Sequence, residues 1–227
     1  MARKHLVRSR GDVRRFPRYS ISEAAFYLHV PASTLKAWTR GQHYTTRFGV
    51  HRTFQPLIEP ADPLNKLLSF YNLVEAHVLR ATRDRDVPLR NVRAALDYIH
   101  RTIPGEHPLL TQSFETSGKE LFIRHLGKTV NATRQGQLAM RKILQKYLKR
   151  VVRDEHGLPM QICPMGSRRL AIHPHICSGK PIVRGRGISA SVLWGRKHTG
   201  EAISEIARDY GMRQLEVRQA IREYNAA

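Results

Sequence analysis

The apolar positions of this chain change period several times, and each change marks a predicted element. In YSISEAAFYLHVPASTLKAWTRG, residues 19–41, Ala25 and Leu28 share one helical face. After an interruption at His29-Val30-Pro31, Leu35 and Trp38 share another. The spacing predicts two short helices around a tight turn, with Ser22 as N-cap, Pro31 in the first turn of the second helix and Gly41 at its end. Small Ala24 and Ala25 allow a close crossing, which is helix-turn-helix economy. QHYTTRFGVHRTFQPLI then alternates irregularly with aromatic and β-branched residues and predicts a short β-hairpin wing. Leu67, Phe70, Tyr71, Val74, Val78 and Ala81 form one apolar stripe, and Leu89, Val92, Leu96 and Ile99 another; both read as core faces of amphipathic helices.

Beyond residue 110 the pattern predicts two strands over 111–130 joined at Ser117-Gly118, then a long helix over 135–153. That helix places Ile143, Leu144, Tyr147, Leu148 and Val151 inside and Arg141, Lys142, Lys146, Lys149 and Arg150 outside. Residues 154–157 close it as a domain boundary would. In the tail, Ala202, Ile203, Ile206 and Ala207 are expected to face inward before a break at Gly211, and Leu215, Val217, Ala220, Ile221 and Tyr224 follow it. This is a second helix–turn–helix shape, and its 213–222 helix faces either DNA or the rest of its domain. The expected fold is mainly α with small β elements. A basic flexible arm (1–18) precedes a winged helix-turn-helix (19–60). A helical middle region with a central β-hairpin and long helix (61–157) leads to a small C-terminal strand-helix-helix domain (158–227).

Charge narrows the function. The 227 residues carry 39 Lys+Arg against 18 Asp+Glu, a formal net charge of +21, which calls for an anionic partner. No run of apolar residues is long enough for a membrane span, and no apolar segment follows the basic N-terminus as in a secretory signal. Two cysteines make no disulfide framework, so a cytoplasmic location is expected. In the predicted recognition helix Ser33, Thr34, Lys36 and Arg40 are placed to meet base edges and phosphates, and Arg47, His51 and Arg52 of the wing to hold phosphates.

The quoted 19–41 stretch resembles the opening helix-turn-helix of the MerR-like winged-helix fold, with its Ala-rich first helix and Ser/Thr-Leu-x-x-Trp second helix. LLSFYNLVEAHVLRATRDRDVPLRNVRAALDYI is similar to the helices that follow it in such regulators. MerR regulators proper add a long coiled coil and an effector site; here a β-hairpin and a second domain are expected instead, so small-molecule or metal sensing is not implied.

The densest chemistry lies in HPHICSGKPIVRGRGISASVLW, residues 173–194. Cys163, His173, His175 and Cys177 are the right ligand types for zinc, but no C-x-x-C pair exists, so no metal is expected. Gly179-Lys180-Pro181 lacks the upstream glycine and the hydroxyl of a phosphate-binding loop. Carboxylates are absent between His156 and Glu201, so magnesium-dependent hydrolysis has nothing to work with. No catalytic residue and no cofactor are expected. IHPHICSGKPIVRGRGISASVLWGRKHTGEAISEIARDYGMRQLEVRQAIREY is similar to a small bacterial domain catalogued as a domain of unknown function, whose members are antitoxins of VapBC-type modules. One departure is Arg186, where that pattern usually has Thr.

With the MerR-like half, the resemblance to a VapB-type antitoxin runs nearly full length. It implies a partner PIN-type ribonuclease toxin, silenced when Arg or Lys enters its acidic pocket, with Arg168, Arg169, Lys180, Arg184 and Arg186 as candidates. It also implies operator DNA as a second partner, bound by a homodimer, because one recognition helix reads too few bases. A stand-alone MerR-like regulator without a toxin is the alternative.

Overall fold

Ser20, not Ser22, starts the first helix. Its backbone is extended, its hydroxyl accepts from the Glu23 amide at 3.2 Å, and the Glu23 carboxylate accepts from the Ser20 amide at 3.0 Å. This reciprocal capping box needs a glutamate three residues on, which Ser20 has and Ser22 lacks. The computed structural model describes residues 11–45, 49, 51–54, 56–130, 134–164 and 166–225.

Helix α1 (Ile21–Leu28) ends at His29, which takes a left-handed conformation (φ 53°), and the Val30 amide donates back to the Ala25 carbonyl at 3.0 Å. α2 (Ala32–Arg40) follows at once and stops at Gly41. Ala24, Ala25, Leu28, Val30, Leu35 and Trp38 are all buried between and beneath the pair. Strands β1 (Gln42–Thr45) and β2 (His51–Phe54) pair antiparallel as the expected wing. The amides of Leu57 and Ile58 then both donate to the Trp38 carbonyl, at 2.7 and 3.1 Å, and pin the base of the wing to the end of α2.

Helix α3 (Phe70–Arg83) is buried almost all round rather than along one stripe. Its polar residues are therefore partnered: Asn72 bonds the Glu59 carbonyl and Glu75, Glu75 bonds His107, and His77 bonds the Tyr147 carbonyl. α4 (Leu89–Thr102) buries Val92, Ala95, Leu96 and Ile99 as its period requires.

The two strands expected over 111–130 are helical instead. A wide π turn at Phe114–Gly118 runs straight into α5 (Lys119–Val130), and Phe114, Phe122, Ile123 and Leu126 point into the core together. Gly118 makes no hairpin turn; it lets Ile103 come so close that a Cβ would stand 2.5 Å from that side chain. The central β-hairpin of the expected fold is thus replaced by helix, because the apolar residues match a helical rather than an alternating face.

Helix α6 (Arg134–Leu148) stops earlier than its basic run suggests. Val151 belongs to β3 (Val151–Arg153), and residues 154–157 form its turn into β4 (Pro159–Ile162). With β5 (Leu170–Ile172) and β6 (Pro181–Val183) these strands make one antiparallel sheet in the order β3-β4-β5-β6. Three helices follow it: α7 (Ala190–His198), α8 (Ile203–Asp209) and α9 (Gln214–Asn225). One core cluster runs from Tyr19 to Ile172, and a smaller one gathers Leu170, Val183, Leu193, Ile206, Met212, Val217 and Ala220.

The basic arm is docked, not free, from residue 12 onward. Asp12 caps the short 3-10 turn Val13–Arg15, Arg14 bridges Asp12 to Asp154, and the Tyr71 hydroxyl donates to Asp12. Residues 1–10 lie outside the described residues. Among the described residues, no helix is long and apolar enough to cross a membrane.

Candidate nucleic-acid interface

The exposed face of α2 carries Ser33, Lys36 and Arg40, while Leu35 and Trp38 on its opposite face are buried. Thr34 stands at the edge, and its hydroxyl accepts from the Arg83 guanidinium at 2.8 Å. Arg83 comes from α3, 49 residues away, and no local signal in the sequence links it to α2. The Arg80 guanidinium likewise donates to the Leu28 carbonyl and fastens the end of α1 to α3. The turn between α1 and α2 is therefore braced from behind by α3.

His51 and Arg52 lie on β2, opposite Thr45 and Tyr44 in the wing register. Arg47 lies outside the described residues. Ser33, Lys36 and Arg40 are thus brought together on one helix face, with β2 following it in the chain through Gly41 and β1.

Within the stretch 173–194, the 173–180 loop docks against the N-terminal segment, and β6 and the start of α7 follow it. The Tyr19 hydroxyl donates to the Gly179 carbonyl at 3.1 Å, and the Arg18 guanidinium to the Pro174 carbonyl at 2.9 Å. Gly179 has φ +73°, and a Cβ there would sit 2.1 Å from the Tyr19 hydroxyl, so the closeness itself demands glycine. The His173 and His175 rings stand 5.8 Å apart, and burial together with the neighbouring His175 pulls His173 below the ordinary histidine range. Cys163 is buried with Ala171 and Ile182, whereas Cys177 is exposed. Among the described residues no group of three or more His, Cys, Asp or Glu is placed to hold a metal ion.

The five basic candidates of this region divide. Arg168, Lys180, Arg184 and Arg186 are exposed. Arg169 turns inward, donating to Gln219 at 2.8 Å and pairing with Glu216 at 3.6 Å. Arg186 donates to the Gly211 carbonyl at 2.8 Å and also pairs with Glu216. The backbone amide and side chain of Arg213, with Arg186 beyond them, hold the Glu216 carboxyl below the usual range. Glu223 accepts from the Ser167 hydroxyl and from the amides of Arg168 and Arg169. These two acids, which the basic composition hides from a sequence reading, are what clasp α9 to the sheet.

Residues 17–96 match the family described as "Putative DNA-binding HTH domain", and residues 170–224 match "Protein of unknown function (DUF433)". The curated protein "Putative antitoxin VapB45" of Mycobacterium tuberculosis is 26% identical over 223 residues, covering 90% of this chain and 92% of the relative. The crystal structure of Rv2018 from Mycobacterium tuberculosis shares the fold, with a TM-score of 0.68 at 22% identity over 91% of this chain and 97% of the other. The resemblance to a VapB-type antitoxin read from the sequence therefore extends along both halves of the chain, and the helix-turn-helix α1–α2 lies within the 17–96 match.

Proposed function

We propose that this chain, similar over nearly its whole length to a VapB-type antitoxin, is itself the antitoxin of a type II toxin–antitoxin module. In this reading it binds and neutralises a PIN-type ribonuclease toxin, and as a homodimer it represses its own operator. The observation that carries the reading is α2: a helix braced by Arg83 and by the wing base, presenting Ser33, Lys36 and Arg40 to solvent in a chain of charge +21. Lys36 and Arg40 engage phosphates, while Ser33 and Thr34 at the start of the helix meet base edges. Arg47, His51 and Arg52 of the wing hold the flanking backbone.

Toward the toxin, the exposed Arg168, Lys180 and Arg184 are available to approach an acidic pocket. Arg169 acts one step back, through its bonds to Gln219 and Glu216 of α9, as does the exposed Arg186 through its pair with Glu216. A charge-assisted contact that loses its water on binding is the strong kind, worth about 2–5 kcal/mol when one partner is removed.

The test is co-expression with the adjacent open reading frame. A stable complex and rescued growth are expected, together with binding of the full chain to the DNA immediately upstream of its gene. Lys36→Ala with Arg40→Ala should weaken that binding and flatten its log–log salt slope by about 2. A chain that binds this DNA but neither complexes nor neutralises the neighbouring product would be a stand-alone regulator.

A further inference from the structure

The C-terminal helices repeat the first helix-turn-helix in register. A constant offset of 182 positions carries Ala25 onto Ala207, Val30 onto Met212 and Leu35 onto Val217, and all six are buried. The same offset carries His29 (φ 53°) onto Gly211 (φ 58°), the single left-handed residue of each turn. The hydrogen bond closing the turn recurs, Val30 amide to Ala25 carbonyl at 3.0 Å and Met212 amide to Ala207 carbonyl at 2.8 Å. So does the glutamate that reaches back to the helix start, Glu23 to the Ser20 amide at 3.0 Å and Glu205 to the Ala202 amide at 3.2 Å. Behind α9 lies α7, whose Ala190 and Leu193 share the small core with Val217 and Ala220 and complete a three-helix unit.

Under this register Lys36 and Arg40 become Arg218 and Arg222. Both are exposed, one turn apart on α9, beside Gln214 and the 59%-exposed Leu215. The acids of the unit are occupied elsewhere. Glu216 faces Arg169, Arg186 and Arg213, Glu223 faces the 167–169 backbone, and Glu201 and Asp209 both pair with Arg196. No carboxylate stands among the exposed positions of α9, so its outer face is cationic with one apolar residue, Leu215, at its N-terminal end. Helix packing alone would not leave such a face open.

We propose that α8–α9 is a second DNA-binding helix-turn-helix, gripping duplex phosphates through Arg218 and Arg222, with Gln214 and Leu215 against base edges. Leu215 offers the apolar contact suited to a thymine methyl, and Gln214 the amide suited to adenine. The two units touch where Phe26 of α1 meets Tyr224 of α9 edge to face at 5.3 Å, so both readers belong to one body and act on one duplex.

The experiment measures binding of the full chain to a duplex of about 40 base pairs from directly upstream of its gene, by anisotropy across a salt series and by hydroxyl-radical footprinting. Arg218→Ala with Arg222→Ala is expected to lower affinity about tenfold or more, to flatten the salt slope by about 2 and to shorten the footprint. Arg218→Lys with Arg222→Lys should restore the slope, since it keeps both charges. Leu215→Glu, an independent exposed variant, should weaken binding in the same way. Wild-type affinity, slope and footprint in the alanine and glutamate variants, with loss on Lys36→Ala plus Arg40→Ala, would overturn this inference and leave the first unit's role intact. The reverse pattern would support it and overturn the role given to α2. Failure of the wild-type chain to bind the duplex would overturn both.

Discussion

His77 sits 1% exposed inside α3, a place where an imidazolium is expensive. Burial pushes it down to about 4, the charges of Arg150 and Arg80 act in the same direction, and its bond to the Tyr147 carbonyl only partly opposes them. The neutral ring therefore donates through Nε2 across 3.1 Å. An unfolded chain takes up this proton near pH 6.5 and the folded one only near 4, so stability falls as pH drops through that window, by up to about 3 kcal/mol at its lower end. His107 has the opposite sign. Burial would lower it, but the hydrogen bond and charge of Glu75 raise it above the ordinary range, so its contribution is full below about pH 6.5 and is lost as pH rises through its folded value. Urea midpoints taken from pH 4.5 to 8.5 check both. His77→Gln, which keeps a donor for the carbonyl, should flatten the acid limb, and His107→Gln the neutral-to-alkaline limb. An unchanged acid limb in His77→Gln would mean that the ring is not held neutral.

At the scale of elements, the two helix-turn-helix units differ in one cap. Ser20 and Glu23 make a complete box, whereas Ala202, extended at φ −72° and ψ 141°, has no side-chain acceptor and only the Glu205 half exists. Ala202 is exposed, so Ala202→Ser has room to supply the missing acceptor and should stabilise the chain by about 1 kcal/mol, read as a raised urea midpoint. No gain would show that α8 does not limit folding of the unit. Elements of this kind were legible wherever the apolar spacing was local. Leu35 and Trp38 after a Pro31 start, or Val92, Leu96 and Ile99 on one stripe, specify their helices unaided. The 111–130 segment misled because Ser117-Gly118 has the composition of a turn, while the Gly118 environment, packed under Ile103, is tertiary and leaves no mark in the neighbouring residues. The same limit applies to the site. Lys36 and Arg40 follow from the helix face, but Arg83 behind Thr34 and Glu216 beneath Arg169 and Arg186 depend on contacts across 30 to 49 positions and on a fold already formed.

Across the whole molecule the shortage of acids decides where carboxylates go. Only 18 stand against 39 Lys+Arg, and several of them brace the parts of the chain against one another. The N-terminal segment shows this best. Arg14 is 16% exposed in its side chain, bonds Asp12 at 2.8 Å and Asp154 at 2.6 Å, and lies 5.6 Å from the Tyr71 ring centre. It thereby ties the segment to α3 and to the β3–β4 turn, while Arg18 and Tyr19 tie the next residues to the 173–180 loop. Burial would raise the Asp12 carboxyl, yet the hydrogen bonds and charge of Arg14 hold it below the usual range, and Asp154 is held down likewise by the Leu158 amide and Arg14. Arg14→Ala leaves both acids without their cation in a largely enclosed place. The expected cost is about 2 kcal/mol, less than for a fully buried pair because water can reach part of the site. Arg15 makes the control: its pair with Glu106 is open to solvent, at 35% and 59% exposure, so Arg15→Ala should cost under about 1 kcal/mol. Limited trypsin digestion separates the local from the global effect, since release of the strap exposes Arg15 and Arg18 to cleavage before the core unfolds. Early cleavage in Arg14→Ala but not in the wild-type chain is the expected pattern. Equal stability losses in the two variants, with no early cleavage in either, would mean that Arg14 is only another surface charge and that the two core clusters are held together by the sheet and the α1–α9 contact alone.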